Sequence, residues 1–311
     1  MNRVYPIAAE RELRRLELTI TRRLDGLLHG DHLGLLPGAG SELAGSREYV
    51  PGEDDLRRMD WAVTARTTVP HVREMVADRE LSTWLVVDGT ASMDFGTAAL
   101  EKRDLAVAAV AAVGFLTAGA GNRLGAYLLH GGAIRRYPAR TGRTHLLGLL
   151  RTLLGSARTE PGAAQPRFAD ALADVRRSAG RRGLVVVVSD FLDDSPWAPP
   201  LRRLGALHQL LAVEVTDPRE AELPDVGLLT LVDPETGRRR EVSTASRRLR
   251  ERYAAAAADQ RRTIADALRR SGAAHLELCT DRDWVRDIVR HVYAQRRLAR
   301  AARPPAPGGA A

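Results

Sequence analysis

Lysine is nearly missing from this chain: of 47 basic residues only Lys102 is a lysine, and the rest are arginine. Lys102 stands in Leu100-Glu101-Lys102-Arg103, the charged start of a helix, so no G-x-x-x-x-G-K-[ST] loop exists to cradle phosphates. Cysteine occurs once, as Cys279, which excludes an intramolecular disulfide and a thiolate zinc cluster within one chain. Neither H-E-x-x-H nor G-x-S-x-G is present. Gly119-Ala120-Gly121 precedes a strand-like run instead of following one, the wrong order for a dinucleotide site. The eight histidines are scattered, and His130, His145 and His208 read as surface or core residues, not ligands. Long apolar runs are missing too. The uncharged stretch from Leu105 to Asn122 is rich in Ala and Gly and falls short of the ~20 strongly apolar residues of a membrane span. Met1 to Ile20 contains no signal-peptide-like block. The expectation is a cytoplasmic protein with no membrane span.

Aromatic residues make up only 5% of the chain, so Leu, Val and Ala must fill its core. A hydrophobic share of 44% over 311 residues is enough for one large domain with an additional module. The net charge of +8 is unevenly placed: between Ser246 and Arg303 fifteen arginines face seven acids, and the remainder sums to about zero. That distribution argues against a general polyanion binder and for a basic C-terminal surface.

Hydrophobic periodicity sets the organisation. Leu13, Leu16, Ile20, Leu24 and Leu27 form one stripe of an N-terminal helix. Pro37, Gly38, Gly40, Gly45 and Gly52 among short apolar runs suggest a small, turn-rich β module up to about residue 81. From Ser82 strands and helices alternate. Strands are expected over 85–87, 124–129, 134–137, 184–188, 210–215 and 275–278, and helices over 105–118, 145–154, 168–178, 246–271 and 282–298. Asp193 and Asp194 read as the cap of a further helix after Pro196. A hairpin over 228–243 is expected to turn at Asp233-Pro234-Glu235-Thr236-Gly237. Trp284, Val285, Ile288, Val289, Val292 and Tyr293 would bury one side of the last helix, with Arg282, Arg286, Arg290 and Arg297 largely on the other. The expected domains are therefore 1–81 (helix and β-rich module), 82–300 (a doubly wound, mostly parallel α/β sheet with an inserted hairpin) and 301–311, a disordered tail.

Chemistry concentrates at two strand ends. Leu85-Val86-Val87 runs into Asp88, and Thr90 and Ser92 follow at alternating positions. A carboxylate with two hydroxyls is a hard donor set, suited to Mg2+ or Mn2+. A second acid, Asp190, follows the apolar run Val185-Val186-Val187-Val188-Ser189. If the two strands are neighbours, both acids emerge at one rim, where open α/β sheets bind their ligands. The plainer alternative is that Asp88 or Ser92 caps the next helix.

The pattern D-x-[ST]-x-S after one strand, with S-D after a later one, resembles the metal-ion-dependent adhesion site of von Willebrand factor A-type domains. In that family a threonine from an intervening loop completes the site. The best candidate here is Thr159, in Ala157-Arg158-Thr159-Glu160, since Thr141 and Thr144 come too early. Thr90 stands where the family has serine and Arg158 where it has glycine. The block Arg47-Glu48-Tyr49-Val50-Pro51-Gly52-Glu53-Asp54-Asp55-Leu56-Arg57-Arg58-Met59-Asp60-Trp61, followed by Thr64-Ala65-Arg66, looks like the signature of the bacterial family called domain of unknown function 58. Asp217-Pro218-Arg219-Glu220 with Leu223-Pro224, and the turn at 233–237, are similar to that family as well. The resemblance covers roughly residues 40 to 295 and implies a von Willebrand A-like fold. It also implies a gene context beside MoxR-type AAA+ ATPases. The Arg47–Trp61 block itself reads as structural, with charges paired across turns and Trp61 in the core.

Together these readings predict a non-catalytic, metal-dependent protein-interaction module. The ligands would be Asp88, Thr90, Ser92, Thr159 and Asp190, and a partner's carboxylate would complete the coordination of Mg2+ or Mn2+. The resemblance implies a role as adaptor between a MoxR-type ATPase and a client protein. A magnesium-dependent phosphoester hydrolase is the rival, weakened by the lack of a nucleophile or general base near Asp88. Nucleic-acid binding through the arginine-rich C-terminal helices is another, but those arginines alternate with acids and lack interleaved aromatics.

Overall fold

The computed structural model describes residues 13–20, 22–23, 46–50, 59–73, 82–117 and 122–301. Its centre is a six-stranded sheet of β3 (Ser82–Asp88), β4 (Arg123–His130), β5 (Ala133–Arg140), β6 (Leu184–Ser189), β7 (Gln209–Thr216) and β10 (Ala274–Cys279). Across the sheet they run β10-β7-β6-β3-β4-β5, and all pairs are parallel except the β4–β5 hairpin at one edge. The chain starts in the middle with β3, builds outward through β4 and β5, then returns to the other flank of β3 with β6. The order of connection therefore reverses between β3 and β6, and such switch points open a crevice at the carboxyl ends of the strands. This is the doubly wound, mostly parallel α/β sheet that the sequence predicts.

Both faces of the central strands are buried, which is why they read as unbroken apolar runs. Leu85, Val87, Val186, Val188, Val213 and Val215 face one layer, against α2 (Lys102–Thr117), α3 (Arg143–Leu154) and α8 (Trp284–Ala301). Trp84, Val86, Val185, Val187 and Ala212 face the other, against α4 (Phe168–Ser178), α5 (Ala198–Gly205) and α7 (Arg247–Arg270). Helix α2 is buried almost all round, the fate of the Ala-rich run that was too short for a membrane. It packs so closely on α3 that a Cβ at Gly114 would stand 2.3 Å from Leu146 Cδ1. Among the described residues no helix is long and apolar enough to cross a membrane.

Leu13 and Ile20 of the N-terminal helical segment are buried in the first layer and Leu16 packs beside them; Leu24 and Leu27 lie outside the described residues, as does the tail from 302. In the last helix Val285, Ile288 and Val292 are buried as expected, but Tyr293 is exposed. One position beyond Val292, its side chain has rotated past the edge of the packed stripe. Residues 51–58 of the signature block also fall outside the description. What is described is a small antiparallel pair, β1 (Ser46–Glu48) with β2 (His71–Arg73), and the short helix α1 (Trp61–Thr67). Trp61 corrects the expectation: it is 69% exposed, whereas Met59, bridged to Val72, is buried. Asp60 caps α1 by accepting from the Ala62 and Val63 amides, which places Trp61 on the outward first turn.

Hairpin β8 (Leu228–Val232) with β9 (Arg239–Ser243) is a separate two-stranded ribbon that turns at the segment the sequence suggests. It follows the short helix α6 (Pro218–Ala221), whose capping box joins Asp217 and Glu220.

Candidate functional site

Because β3 and β6 are hydrogen-bonded neighbours with Val87 opposite Val188, Asp88 and the Ser189-Asp190 pair leave the sheet side by side. The condition set by the sequence is met, and the two acids share the switch-point rim. Asp88 is buried, and its Oδ1 accepts from the Thr90 amide at 3.0 Å and the Thr90 hydroxyl at 2.7 Å. Its Oδ2 accepts from Ser189 Oγ at 2.7 Å. These bonds fold the strand end back on itself, so Asp88 does not cap α2. Residues Ala91–Asp94 form a 3-10 turn that holds Ser92, whose Oγ lies 3.3 Å from Thr90 Oγ1 and whose hydroxyl also reaches Asp190. A Cβ at Gly89 would stand 2.9 Å from the Leu129 carbonyl, so only glycine lets the loop hug β4.

Thr159 joins the group from its own loop. It is buried, and its hydroxyl points at the Gly89 carbonyl at 3.4 Å. Asp94 positions it: Oδ2 accepts the Thr159 amide at 2.7 Å, while Oδ1 takes Arg103, which in turn bonds the Ser156 carbonyl. Thr141 and Thr144 are exposed at the start of α3. Asp88, Thr90, Ser92 and Asp190 are thus linked to one another, and Thr159 touches the same loop at the Gly89 carbonyl.

Several residues at the rim carried no assignment. Lys102, set down as a charged helix start, is fully buried; its Nζ sits 2.7 Å from Asp190 Oδ2 and also pairs with Glu220. Glu220 closes the D-P-R-E motif, and Asp217 opens it. The buried Asp217 carboxylate collects the Thr97 amide and hydroxyl, the Thr280 hydroxyl and the Arg219 amide, tying the rim to the ends of β7 and β10. Asp193, expected with Asp194 to cap the helix after them, instead accepts from the Phe168 amide, and Ser195 accepts from the Ala169 amide, so both serve the start of α4; helix α5 has no side-chain cap.

The electrostatics are lopsided. Burial alone would raise the Asp190 pKa, but the Lys102 ammonium together with hydrogen bonds from Lys102, the Leu192 amide and Ser92 holds that carboxyl below its ordinary range. Asp88 has no such relief. Among the described residues its hydrogen-bond partners are hydroxyls and one backbone amide, and burial, then the Asp190 charge, push its pKa up to about 6. Glu235, at the tip of the β8–β9 turn, is raised in the same way by burial and then by Asp88, though the Ser92 amide favours its charged form. Among the described residues no three acid, His or Cys side chains are grouped as a metal cage. The donor set is instead two carboxylates with three hydroxyls. A buried acid that lacks a cation, beside hard oxygen donors, is the environment a small divalent ion would stabilise.

An uncharacterized protein of Mycobacterium tuberculosis is 56% identical over 289 residues, covering 93% of this chain and 90% of its own length. One from Mycobacterium avium is 46% identical over 168 residues, 54% of this chain and 98% of its own. Among solved structures, the conserved hypothetical protein BatB of Bacteroides thetaiotaomicron aligns with a TM-score of 0.44 at 11% identity, over 70% of this chain and 99% of its own. A von Willebrand factor type A protein of Catenulispora acidiphila aligns at 0.38 and 12% identity, over 73% of this chain and 43% of its own. Residues 45–263 match the family described as protein of unknown function DUF58, and with more than half of its length so matched the chain belongs to that family.

Proposed function

We propose that this chain is a metal-dependent protein-interaction module and not an enzyme. Asp88, Thr90, Ser92, Thr159 and Asp190 would hold Mg2+ or Mn2+. The observation that carries this reading is the Asp88 carboxylate: buried at the switch-point rim beside Asp190, ringed by hydroxyls and without a cationic partner among the described residues. When bound, the ion supplies a coordination position open to a partner's carboxylate, an attraction that strengthens as water is excluded. The chain's own residues do the rest. Asp94 and Arg103 fix the Thr159 loop, and Lys102 balances Asp190 so that the site's unmet charge is centred on Asp88.

The partner we assign is a MoxR-type AAA+ ATPase, following the resemblance of the signature blocks, with this chain as adaptor to a client protein in the cytoplasm. The arginines of α7 and α8 fit a solvated helix surface better than a nucleic-acid site. Arg247, Arg262, Arg269 and Arg290 each pair with an acid one turn away on the same helix. Co-purification with such an ATPase in Mg2+, lost in EDTA and in Asp88→Ala, is the expected result. Association that survives both treatments rejects the metal-dependent reading.

A further inference from the structure

The chain guards its strand edges unevenly. At one end of the main sheet β5 leaves Arg135, Arg136, Pro138 and Arg140 exposed, and charges or proline on an edge discourage a further strand. The β8–β9 ribbon pairs with no other described strand, so both of its edges are open. Along β9 the exposed Arg239, Arg240 and Glu241 are all charged. β8 reads Leu-Leu-Thr-Leu-Val, with neither charge nor proline. Leu228 is 71% exposed, Val226 just before it 59% and Val232 44%.

The backbone of β8 is turned the right way for pairing. The Asp233 amide bonds to the Arg238 carbonyl at 2.9 Å and the Thr244 amide to the Gly227 carbonyl at 2.6 Å, one pair beyond each end of the ladder. Bonded pairs alternate in an antiparallel ribbon, so Leu229 with Val242 and Leu231 with Arg240 carry the bonds between. Leu228, Thr230 and Val232 therefore direct their N–H and C=O groups outward, where no described residue bonds to them. The ribbon is anchored at both ends. At the tip the Pro234 carbonyl accepts the Gly162 amide at 3.0 Å. At the base the Thr244 hydroxyl donates to the Gly227 carbonyl at 2.8 Å and accepts the Val226 amide at 3.1 Å. An edge held in this way loses little freedom when a strand is added to it.

We propose that the β8 edge docks an extended segment of a partner protein, which adds a third strand to the ribbon. Charge selects the occupant. Arg239 stands directly opposite Val232, with Arg238 and Arg240 on either side of it in the chain, and none of the three forms an ion pair among the described residues. Glu241, opposite Thr230, disfavours an acid at the middle of the added strand. The segment that fits carries acids at the end beside Val232 and apolar residues opposite Thr230 and Leu228. A second copy of β8, being uncharged, would leave those arginines unanswered. No metal ion enters this pairing, so it stands or falls apart from the metal-dependent reading above.

The test uses the full chain in EDTA and the acetylated peptide Asp-Glu-Thr-Val-Thr-Val, followed by amide shifts and amide hydrogen exchange in NMR. The peptide is expected to slow exchange at Leu228, Thr230 and Val232 and to leave Arg239, Glu241 and Ser243 unchanged. Binding should be lost in Thr230→Pro, which removes an outward N–H and no ladder bond, and in Leu228→Lys, which keeps every backbone donor. Slow exchange retained at Leu229 and Leu231 checks that the ribbon survives; if proline loosens it, Leu228→Lys decides. With Lys-Lys in place of Asp-Glu, or in Arg239→Glu, the Kd should rise about fivefold. No slowing at β8, slowing confined to β5 or β9, or equal binding in Leu228→Lys overturns the proposal. So does a concentration-dependent dimer in ultracentrifugation that Leu228→Lys abolishes while the peptide has no effect, since the edge then belongs to a second copy.

Discussion

Lys102 Nζ and Asp190 Oδ2 lie 2.7 Å apart, both shut off from solvent, and this pair fixes which of the two rim acids is left without a counter-charge. Removing one partner of a buried ion pair strands the other and costs about 3–5 kcal/mol. Lys102→Ala is therefore expected to destabilise the fold by that amount, read from its urea midpoint. Lys102→Met in Asp190→Asn, which deletes both charges, should recover much of the loss. Amine-reactive acetylation gives a second readout: peptide mass spectrometry should find Lys102 unmodified in the native chain and modified in urea.

Asp88 sets a pH dependence for the metal-free protein. Its folded pKa of about 6 is raised above the ordinary 3.8, so the fold favours the protonated acid. The associated stability is present below pH ~4 and is lost as pH rises through about 6, a difference of about 3 kcal/mol. Asp190 is shifted downward, so its contribution changes only below the ordinary carboxyl range. Glu220 and Glu235 are raised and fall with Asp88, whereas burial lowers His291 to about 4, which adds stability as pH rises and opposes them. The Asp88 contribution is therefore read as the difference between wild type and Asp88→Asn in thermal melts in EDTA, and that difference should fall between pH 4 and pH 7. A difference that rises over the same interval contradicts the assignment.

Asp88, Thr90, Ser92 and Asp190 were legible because a central parallel strand announces itself as an apolar run, and ligand-bearing residues must follow where it stops. Thr159 needed the family resemblance, since its loop has no periodicity. What stayed hidden depends on contacts between distant segments. Lys102 and Glu220 are 118 positions apart, and nothing local marks either as buried. Glu235 sits in a turn whose sequence predicts its geometry but not where its tip docks. Trp61 was misplaced because an aromatic residue signals a core only when its position relative to a helix cap allows it to face inward.

Asp94 is a positioning residue, since it binds the Thr159 amide and Arg103 and touches neither Asp88 nor Asp190 through the hydrogen bonds described here. Supporting residues of this kind change metal affinity by about 10–100-fold when removed. Asp94→Ala should weaken Mn2+ binding within that range, measured by calorimetry. Thr159→Ala should do the same, and the double variant should add little beyond either single change, because both act through one hydroxyl. Full additivity would mean that Asp94 acts by another route.

Asp217 should matter to stability more than to binding. Its carboxylate, fully buried, is held below the ordinary range because the Thr280 and Thr97 hydroxyls and the Thr97 and Arg219 amides together outweigh its burial. Hydrogen bonds to a charged group are worth about 1.5–3 kcal/mol each, and their loss leaves buried donors unsatisfied. Asp217→Ala is thus expected to cost about 3 kcal/mol or more in urea unfolding. Asp217→Asn, which keeps the shape but can accept through only one oxygen, should fall between. If Mn2+ affinity drops as far as stability in Asp217→Asn, the rim loop at Thr97 belongs to the binding site and is not merely its support.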